Sequence, residues 1–434
     1  MSNTPTDNSK TPLVTDNRKP SRRRFLKNAA LIGGGSLLTA DTVFAKEYGK
    51  NTPPMVPQWM QKTGRGVVTV PYGMPSRHES GNIRRTVEWL TATPISSIGF
   101  SPIHTLKGII TPSALHFERF HAGLPDINPE EHRLMIHGLC DNPLIFTMDD
   151  LMRFPSVSEI RFIECPANGG MEWRGAQMEG LQYTHGMLSC SEWTGVRLST
   201  LLAEVGIKPT AKWLLAEGAD GAAMGRSIPI EKALDDVIVA YAQNGEMIRP
   251  EQGYPVRLVN PGWEGNTCVK WLRRLELGDK PWHLREETSK YTDLMPDGKS
   301  RRFTFVQEAN SVVTSVCPEN PLRQHGYHEL QGIAWTGRGK IKQVDVSFDG
   351  GVTWRAAKLK GMVLDKALTR FSFDWNWDGS PALIQSRAVD ETGYVQPTLG
   401  QLKAVRGTSS IYHKNSIQTW QVLPNGEVKN VQIS

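Results

Sequence analysis

From about residue 305 the chain alternates apolar and polar residues with a period of two, which restricts its last third to β-structure. Lys342-Gln343-Val344-Asp345-Val346-Ser347-Phe348 carries the alternation, Asp349-Gly350-Gly351 predicts a turn, and Val352-Thr353-Trp354 predicts its resumption. Phe371-Ser372-Phe373-Asp374-Trp375 and Ile384-Gln385-Ser386-Arg387-Ala388-Val389 follow at the spacing of an immunoglobulin-like β-sandwich. Residues 301–434 are therefore expected to form one all-β domain. The region before it, 106–300, has a different texture. Leu134–Gly138 and Glu159–Ile163 predict strands, while Asp149–Phe154, Val196–Val205 and Ile230–Val237 predict short helices. That mixture is an α+β domain. Residues 46–105 are rich in Pro, Gly and Arg and predict an irregular wrapping segment, and Lys280–Ser300 predicts a polar connector. A chain of this length exceeds one comfortable core, in agreement with two domains.

Residues 1–45 have the order of an export signal. Ser21-Arg22-Arg23-Arg24-Phe25-Leu26-Lys27 precedes the weakly apolar stretch Asn28–Leu38, and Val43-Phe44-Ala45 offers a cleavage point before Lys46. This is the pattern of a twin-arginine signal, which directs folded proteins to the periplasm and so implies a cofactor loaded in the cytoplasm. The segment holds seven Lys/Arg and three Asp/Glu, four of the six formal positive charges of the whole chain. The remainder is near neutral, with no basic stripe for nucleic acid and no apolar run long enough to span a bilayer.

Five cysteines, Cys140, Cys165, Cys190, Cys268 and Cys317, never form a Cys-x-x-Cys pair. Their scatter excludes clustered-ligand zinc and iron–sulfur sites. The absence of Cys-x-x-Cys-His excludes covalent c-type haem by the usual attachment, so no haem is expected in this chain. Cys165 stands beside Pro166-Ala167-Asn168-Gly169-Gly170, where small residues let a backbone approach closely. Such a thiol suits a nucleophile, a soft-metal ligand or a buried structural cysteine.

Three further polar patches punctuate the strands: Phe117-Glu118-Arg119-Phe120-His121; Glu217–Gly221 with Gly225–Pro229; and Gly253–Arg257 running on to Cys268-Val269-Lys270-Trp271-Leu272. Each alone is an ordinary loop. Together with Cys165 they supply cations, exposed backbone and one thiol, the parts that an anionic, phosphate-bearing cofactor and a soft metal require. His116 and His121 lack a carboxylate partner, which argues against zinc.

The ordered set resembles the sulfite oxidase family of molybdenum enzymes from about Tyr72 to the C-terminus. Phe117, Arg119 and His121, Cys165, the Glu217–Asp220 and Gly225–Pro229 stretches, Tyr254–Arg257 and Val269–Leu272 carry it. Cys165–Gly170, Asn260–Cys268 and Thr288–Tyr291 carry a finer match to the sulfane dehydrogenases of sulfur-oxidising systems. The resemblance implies a molybdopterin domain over 106–300 and a dimerising β-sandwich over 301–434. It implies a molybdenum–molybdopterin cofactor with Cys165 as the metal's thiolate ligand. Phe117, Arg119, His121, Asp220, Gln252, Arg257, Cys268, Val269 and Lys270 fall on pterin-contacting positions. Arg119 also faces the substrate, and Tyr291 falls on the tyrosine that faces the metal. Gln252 stands where better-known members have histidine.

One departure bears on substrate. Sulfite oxidases follow the ligand cysteine with Ala-Gly-Asn-Arg-Arg, whose last arginine helps bind the sulfite dianion, and Gly170 occupies that position here. Losing that cation weakens a free dianion and favours a bulkier or tethered sulfur, unless Arg174 substitutes. The resemblance thus implies oxidation of sulfane sulfur on a carrier protein, with electrons passed to a dihaem c-type cytochrome in a two-plus-two assembly. The alternatives are a sulfite dehydrogenase and, from another class, a non-catalytic module that keeps the fold. Nitrate reduction is disfavoured by the export signal and the lack of attached haem or flavin domains.

Overall fold

The computed structural model describes residues 75–87 and 93–433. The export signal and the 46–74 stretch lie outside the described residues, and Pro75–Ser434 forms one compact unit.

The first half of that unit is built on two five-stranded sheets. One runs in the order 246–247, 238–243, 188–197, 156–164, with 257–259 also paired to 238–243. The other runs 144–146, 134–138, 272–278, 213–218, 225–229, and only its 134–138/272–278 pair is parallel. Short helices cover the second sheet's apolar face. Met148–Arg153 begins at a reciprocal cap between Thr147 and Asp150. Leu198–Val205 buries Leu198, Leu201, Leu202 and Val205, the i, i+3, i+4, i+7 stripe of a helix seated on a core, and stops where Gly206 takes a φ of +68°. The expected helix from Val196 therefore starts two residues late, because Val196 and Arg197 complete a ten-residue strand.

The second half is a β-sandwich. A four-stranded sheet (310–313, 326–335, 369–377, 358–360) faces a five-stranded one (355–356, 341–347, 382–390, 419–422, 428–431). Alternation places Val344, Val346, Phe371, Ile384 and Ala388 between the sheets with Trp335 and Trp420. After the turn the strand resumes at Arg355 and not at Val352. The Ser347 hydroxyl accepts from Gly351 N at 2.9 Å and the Asp349 carboxylate from Thr353 N at 2.9 Å, which prolongs the turn.

The two halves share hydrophobic interior: Phe162, Leu181, Leu188 and Cys190 belong to the same buried cluster as the sandwich core. The polar connector is also structured. It holds the helix Arg285–Ser289 and a hairpin of 293–294 with 300–301. Among the described residues, no helix is long and apolar enough to cross a membrane.

Candidate active site

Loops from both sheets meet in a cavity with about 800 Å³ of space, its open mouth included. Phe117, Arg119, His121, Cys165, Asp220, Gln252, Arg257, Cys268, Val269, Lys270 and Tyr291 all line it. The sequence patches, up to about 150 residues apart, thus converge on one place. Of the Glu217–Gly221 and Gly225–Pro229 stretches only Asp220 and Arg226 line the cavity, and Glu217 turns away to pair with Arg273 and Arg274.

Cys165 sits where the strand Ser156–Glu164 must end, since Pro166 has no N–H for a ladder. Its own N–H still donates to Met187 O at 3.0 Å. The chain then turns through Asn168 N to Cys165 O and Gly170 N to Ala167 O, both 2.8 Å, with Gly169 at a φ of +72°. The Asn168 amide braces the turn by donating to Glu164 Oε1 at 2.9 Å and accepting from Met187 N at 3.1 Å. Burial pushes the Cys165 thiol up to about 11. A free thiol in this setting is protonated and a poor nucleophile, whereas a coordinated metal removes the proton outright. The nucleophile reading loses and the ligand reading gains.

Four cations line the cavity with this thiol: Arg119, Arg226, Arg257 and Lys270. Among the described residues none of the four forms a salt bridge; the cavity's Glu118 is taken by Arg84. Arg257 is held by donating to Gln252 O at 2.9 Å and Cys268 O at 3.0 Å, with its guanidinium 4.9 Å from the Trp193 ring centroid. Lys270 donates to Arg119 O at 3.1 Å and Glu251 O at 3.0 Å. Burial, then the neighbouring Arg257, pulls the Lys270 ammonium down to about 7. Burial pulls Arg257 to about 10. Uncompensated buried cations are costly, so this arrangement calls for an anion.

The polar groups left over agree. Arg257 Nε and His116 Nε2 are buried without a partner. His116 and His121 are drawn down by burial to about 3 and about 4, so both rings are neutral donors or acceptors. Gly253, at a φ of +110°, lies so near Lys270 and Arg257 that a Cβ would come 3.0 Å from the Lys270 Cβ. Gln252 Nε2 donates to Phe117 O at 3.0 Å, and Asp220 Oδ1 accepts from Met224 N at 3.1 Å. Cys268 packs with its sulfur accepting from Asn260 N at 3.3 Å. Among the described residues no group of three His, Cys, Asp or Glu side chains could hold a metal. A metal bound here takes one protein thiolate, and its other ligands must arrive with a cofactor. The Cys165 thiol amid unpaired cations, orphaned donors and exposed backbone, with the Cys268 sulfur engaged by Asn260 N, fits an anionic pterin that carries its metal.

Tyr291 reaches the cavity from the connector. Glu287 anchors the helix Arg285–Ser289 by accepting from Ser227 N, from Ser227 Oγ at 3.1 Å and from Leu284 N at 3.0 Å. The Tyr291 ring stacks on Tyr412 at 4.9 Å and lies 4.8 Å beneath the Arg226 guanidinium. Burial pushes both phenols up, Tyr412 to about 12, so each keeps its proton.

Sequence reading passed over the segment that carries Tyr412. Residues 410–415 return from the sandwich to the Cys165 turn, with His413 N donating to Pro166 O at 2.7 Å. Its signal was the Ile411-Tyr412-His413-Lys414-Asn415 run, polar and aromatic inside a domain read as purely dimerising. Arg226 was visible in its patch but given no role. Gly170 lies against this segment: a Cβ there would stand 2.3 Å from Ile411 O. Arg174 is exposed and does not line the cavity, so it does not replace the missing arginine.

Comparison with known proteins agrees with this construction. Residues 121–285 match the family model of the oxidoreductase molybdopterin binding domain, and residues 301–420 that of the Mo-co oxidoreductase dimerisation domain. The crystal structure of the sulfane dehydrogenase SoxCD from Paracoccus pantotrophus superposes with a TM-score of 0.86 at 55% identity, covering 88% of this chain and 98% of that one. Mitochondrial sulfite oxidase from Mus musculus is 30% identical over 342 residues, 72% of this chain and 62% of the relative. NADH nitrate reductase from Ulva prolifera is 32% identical over 302 residues, 62% of this chain and 34% of the relative. The chain thus spans about six tenths of the sulfite oxidase and one third of the nitrate reductase. With a cavity fitted to a pterin and its metal, and likeness along nearly the whole of a solved relative, the chain belongs to the sulfite oxidase family of molybdopterin oxidoreductases.

Proposed function

We propose that this protein oxidises reduced sulfur, namely sulfane sulfur carried on a partner protein, and passes the electrons to a c-type cytochrome in the periplasm. The observation that carries the reading is the half-buried thiol of Cys165 within a cavity whose four cations form no salt bridge among the described residues. When bound, the molybdenum cofactor supplies two-electron oxidation of sulfur, with the added oxygen taken from water and two protons released.

Cys165 would hold the metal through its thiolate. Arg257 and Lys270, fixed by backbone carbonyls, would hold the anionic pterin together with Asp220, Gln252, Phe117, His121, Cys268 and Val269. Arg119 would orient the sulfur group, and the Tyr291 phenol, kept protonated by burial, would donate a hydrogen bond to it. The likeness to a sulfane dehydrogenase at 55% identity favours sulfane sulfur over free sulfite, as does Gly170 in place of the sulfite-binding arginine. The dimerisation-domain match supports a homodimer through 301–420, and the likeness to SoxCD supports a cytochrome partner; that this partner is dihaem and the assembly two-plus-two is what the sequence resemblance implies. The Arg22-Arg23 pair supports folded export.

The test is elemental and kinetic. Protein matured with its normal cofactor supply should contain one molybdenum per chain and oxidise carrier-bound sulfane sulfur in the presence of a c-type cytochrome. Fast, saturable turnover of free sulfite with none of the carrier-bound substrate would instead assign a sulfite dehydrogenase. Absence of molybdenum would remove the enzyme reading altogether.

A further inference from the structure

We infer that Arg226 is the specificity-determining residue that holds the anionic sulfur group of the substrate, supplying the charge that Gly170 cannot; this rests on the sulfur-oxidising reading of the same cavity. Gly170 cannot supply it for a steric reason. A Cβ at that position would meet Ile411 O at 2.3 Å, a backbone atom that moves only with its whole segment. The turn that places Cys165 and the 410–415 segment above it therefore exclude any side chain there. Arg174 is exposed and outside the cavity.

Arg226 lies on the strand Gly225–Pro229, is 4% exposed and lines the cavity. Two hydrogen bonds aim its guanidinium: Nε donates to Asn266 Oδ1 at 2.9 Å, and Nη1 to Gly225 O at 2.6 Å. Asn266 is itself fixed by donating to Glu264 Oε2 at 3.0 Å. Nη2 has no hydrogen-bond partner among the described residues, and no carboxylate pairs with this guanidinium. The free edge of the fork therefore remains for a ligand, and a planar fork matches two oxygens of a sulfur oxyanion.

Its surroundings separate it from the other cations. Arg257 and Lys270 are tied down by two backbone carbonyls each, as befits residues that grip a resident group. Arg226 lies instead over Tyr291, which stacks on Tyr412. Tyr291 itself lines the cavity, so its phenol and the Arg226 guanidinium share one polar corner, with Tyr412 backing the ring from outside. An anionic sulfur group bound there meets charge and hydrogen-bond donors from a single side.

The test uses the metal-loaded full chain with Arg226→Met and Arg226→Lys. Sulfate, as a product-like oxyanion, is titrated calorimetrically, and molybdenum content is measured alongside. Arg226→Met should weaken sulfate about 10- to 100-fold, the range of one charge-assisted contact. It should raise KM for the sulfur substrate by a similar factor, with a smaller change in kcat and unchanged molybdenum. Arg226→Lys, which keeps charge but loses the fork, should fall between. Unchanged sulfate affinity in Arg226→Met overturns the inference. Loss of molybdenum with sulfate affinity intact in the loaded fraction also overturns it, making Arg226 a pterin anchor. If the wild type oxidises no sulfur compound while sulfate affinity still depends on Arg226, the anion site stands and the sulfur-oxidising reading fails.

Discussion

Glu264 and His413 meet inside the protein, with His413 Nε2 2.8 Å from Glu264 Oε1 and both side chains about 5% exposed. Glu264 lies on the loop that leads to Cys268 and Lys270, and His413 follows Tyr412 on the segment returning from the sandwich. The contact therefore fastens the sandwich's contribution onto the cavity. Glu264 also accepts from Phe305 N at 3.2 Å, which ties a third stretch to the same carboxylate.

Breaking this pair should cost more than an exposed salt bridge would. Burial alone would raise the Glu264 carboxyl, but His413 and the neighbouring amide outweigh it and hold the group below its ordinary value. A depressed carboxyl stabilises the fold above its unfolded pKa, near 4.5, and loses that contribution as pH falls through the folded value. His413→Ala should destabilise the protein by about 1–3 kcal/mol at neutral pH, because it removes a hydrogen-bond partner from a buried carboxylate. It should also remove the Glu264 part of the stability lost on acidification. Urea denaturation at pH 7 and pH 4 measures both, and a loss under about 1 kcal/mol would show the pair to be incidental.

Cys165→Ser should leave the fold intact and abolish turnover. The side chain is nearly isosteric, and no hydrogen bond from the Cys165 sulfur is needed to hold the turn, which rests on backbone contacts and Asn168. The hard hydroxyl is a poorer ligand for molybdenum than a thiolate and shifts its redox poise. Circular dichroism, molybdenum content and turnover together decide the matter. Wild-type activity in this variant would remove Cys165 from the metal's ligands.

Arg257→Met should lower cofactor content per folded chain. It deletes a cation from the cavity and leaves Gln252 O and Cys268 O without their donor, at a cost of about 1–3 kcal/mol each when buried. Stability and pterin content must therefore be read separately. Full pterin occupancy in the folded fraction would count against the anchoring role.

How much of this was legible in the residues follows their physical range. Period-two alternation is a local property, so the sandwich strands at 341–347, 369–377 and 382–390 were readable within a residue or two of their ends. The mixed character of the first half was equally readable, because short apolar runs and helical stripes alternate there. What stayed hidden depends on contacts far apart in sequence. Tyr412 stacks on Tyr291 across 121 positions, and no pattern near either announces it. Arg226 gains meaning only from Gly170 being blocked by Ile411, a steric fact of the assembled backbone. Val196 and Arg197 looked helical because the strand's register shifts between Thr194 and Gly195, which breaks the alternation just before them.

Gly170→Ala tests the steric account directly. The added methyl would have to displace the backbone at Ile411 and, with it, the stacked Tyr412 and the Glu264–His413 contact. Overpacking of this kind should cost about 1–3 kcal/mol. It should also reduce turnover, because the Tyr291–Tyr412 stack shifts with the segment. Gly400→Ala is the control: it lies in the helix Leu399–Arg406, a Cβ there meets nothing nearer than 3.9 Å, and helix propensity favours alanine by up to about 1 kcal/mol. Gly400→Ala should therefore melt at or above the wild-type temperature while Gly170→Ala melts below it. Were Gly170→Ala as stable and active as the wild type, the 410–415 segment would have room to give way. An arginine at position 170 could then be accommodated, and its absence would need a cause other than space.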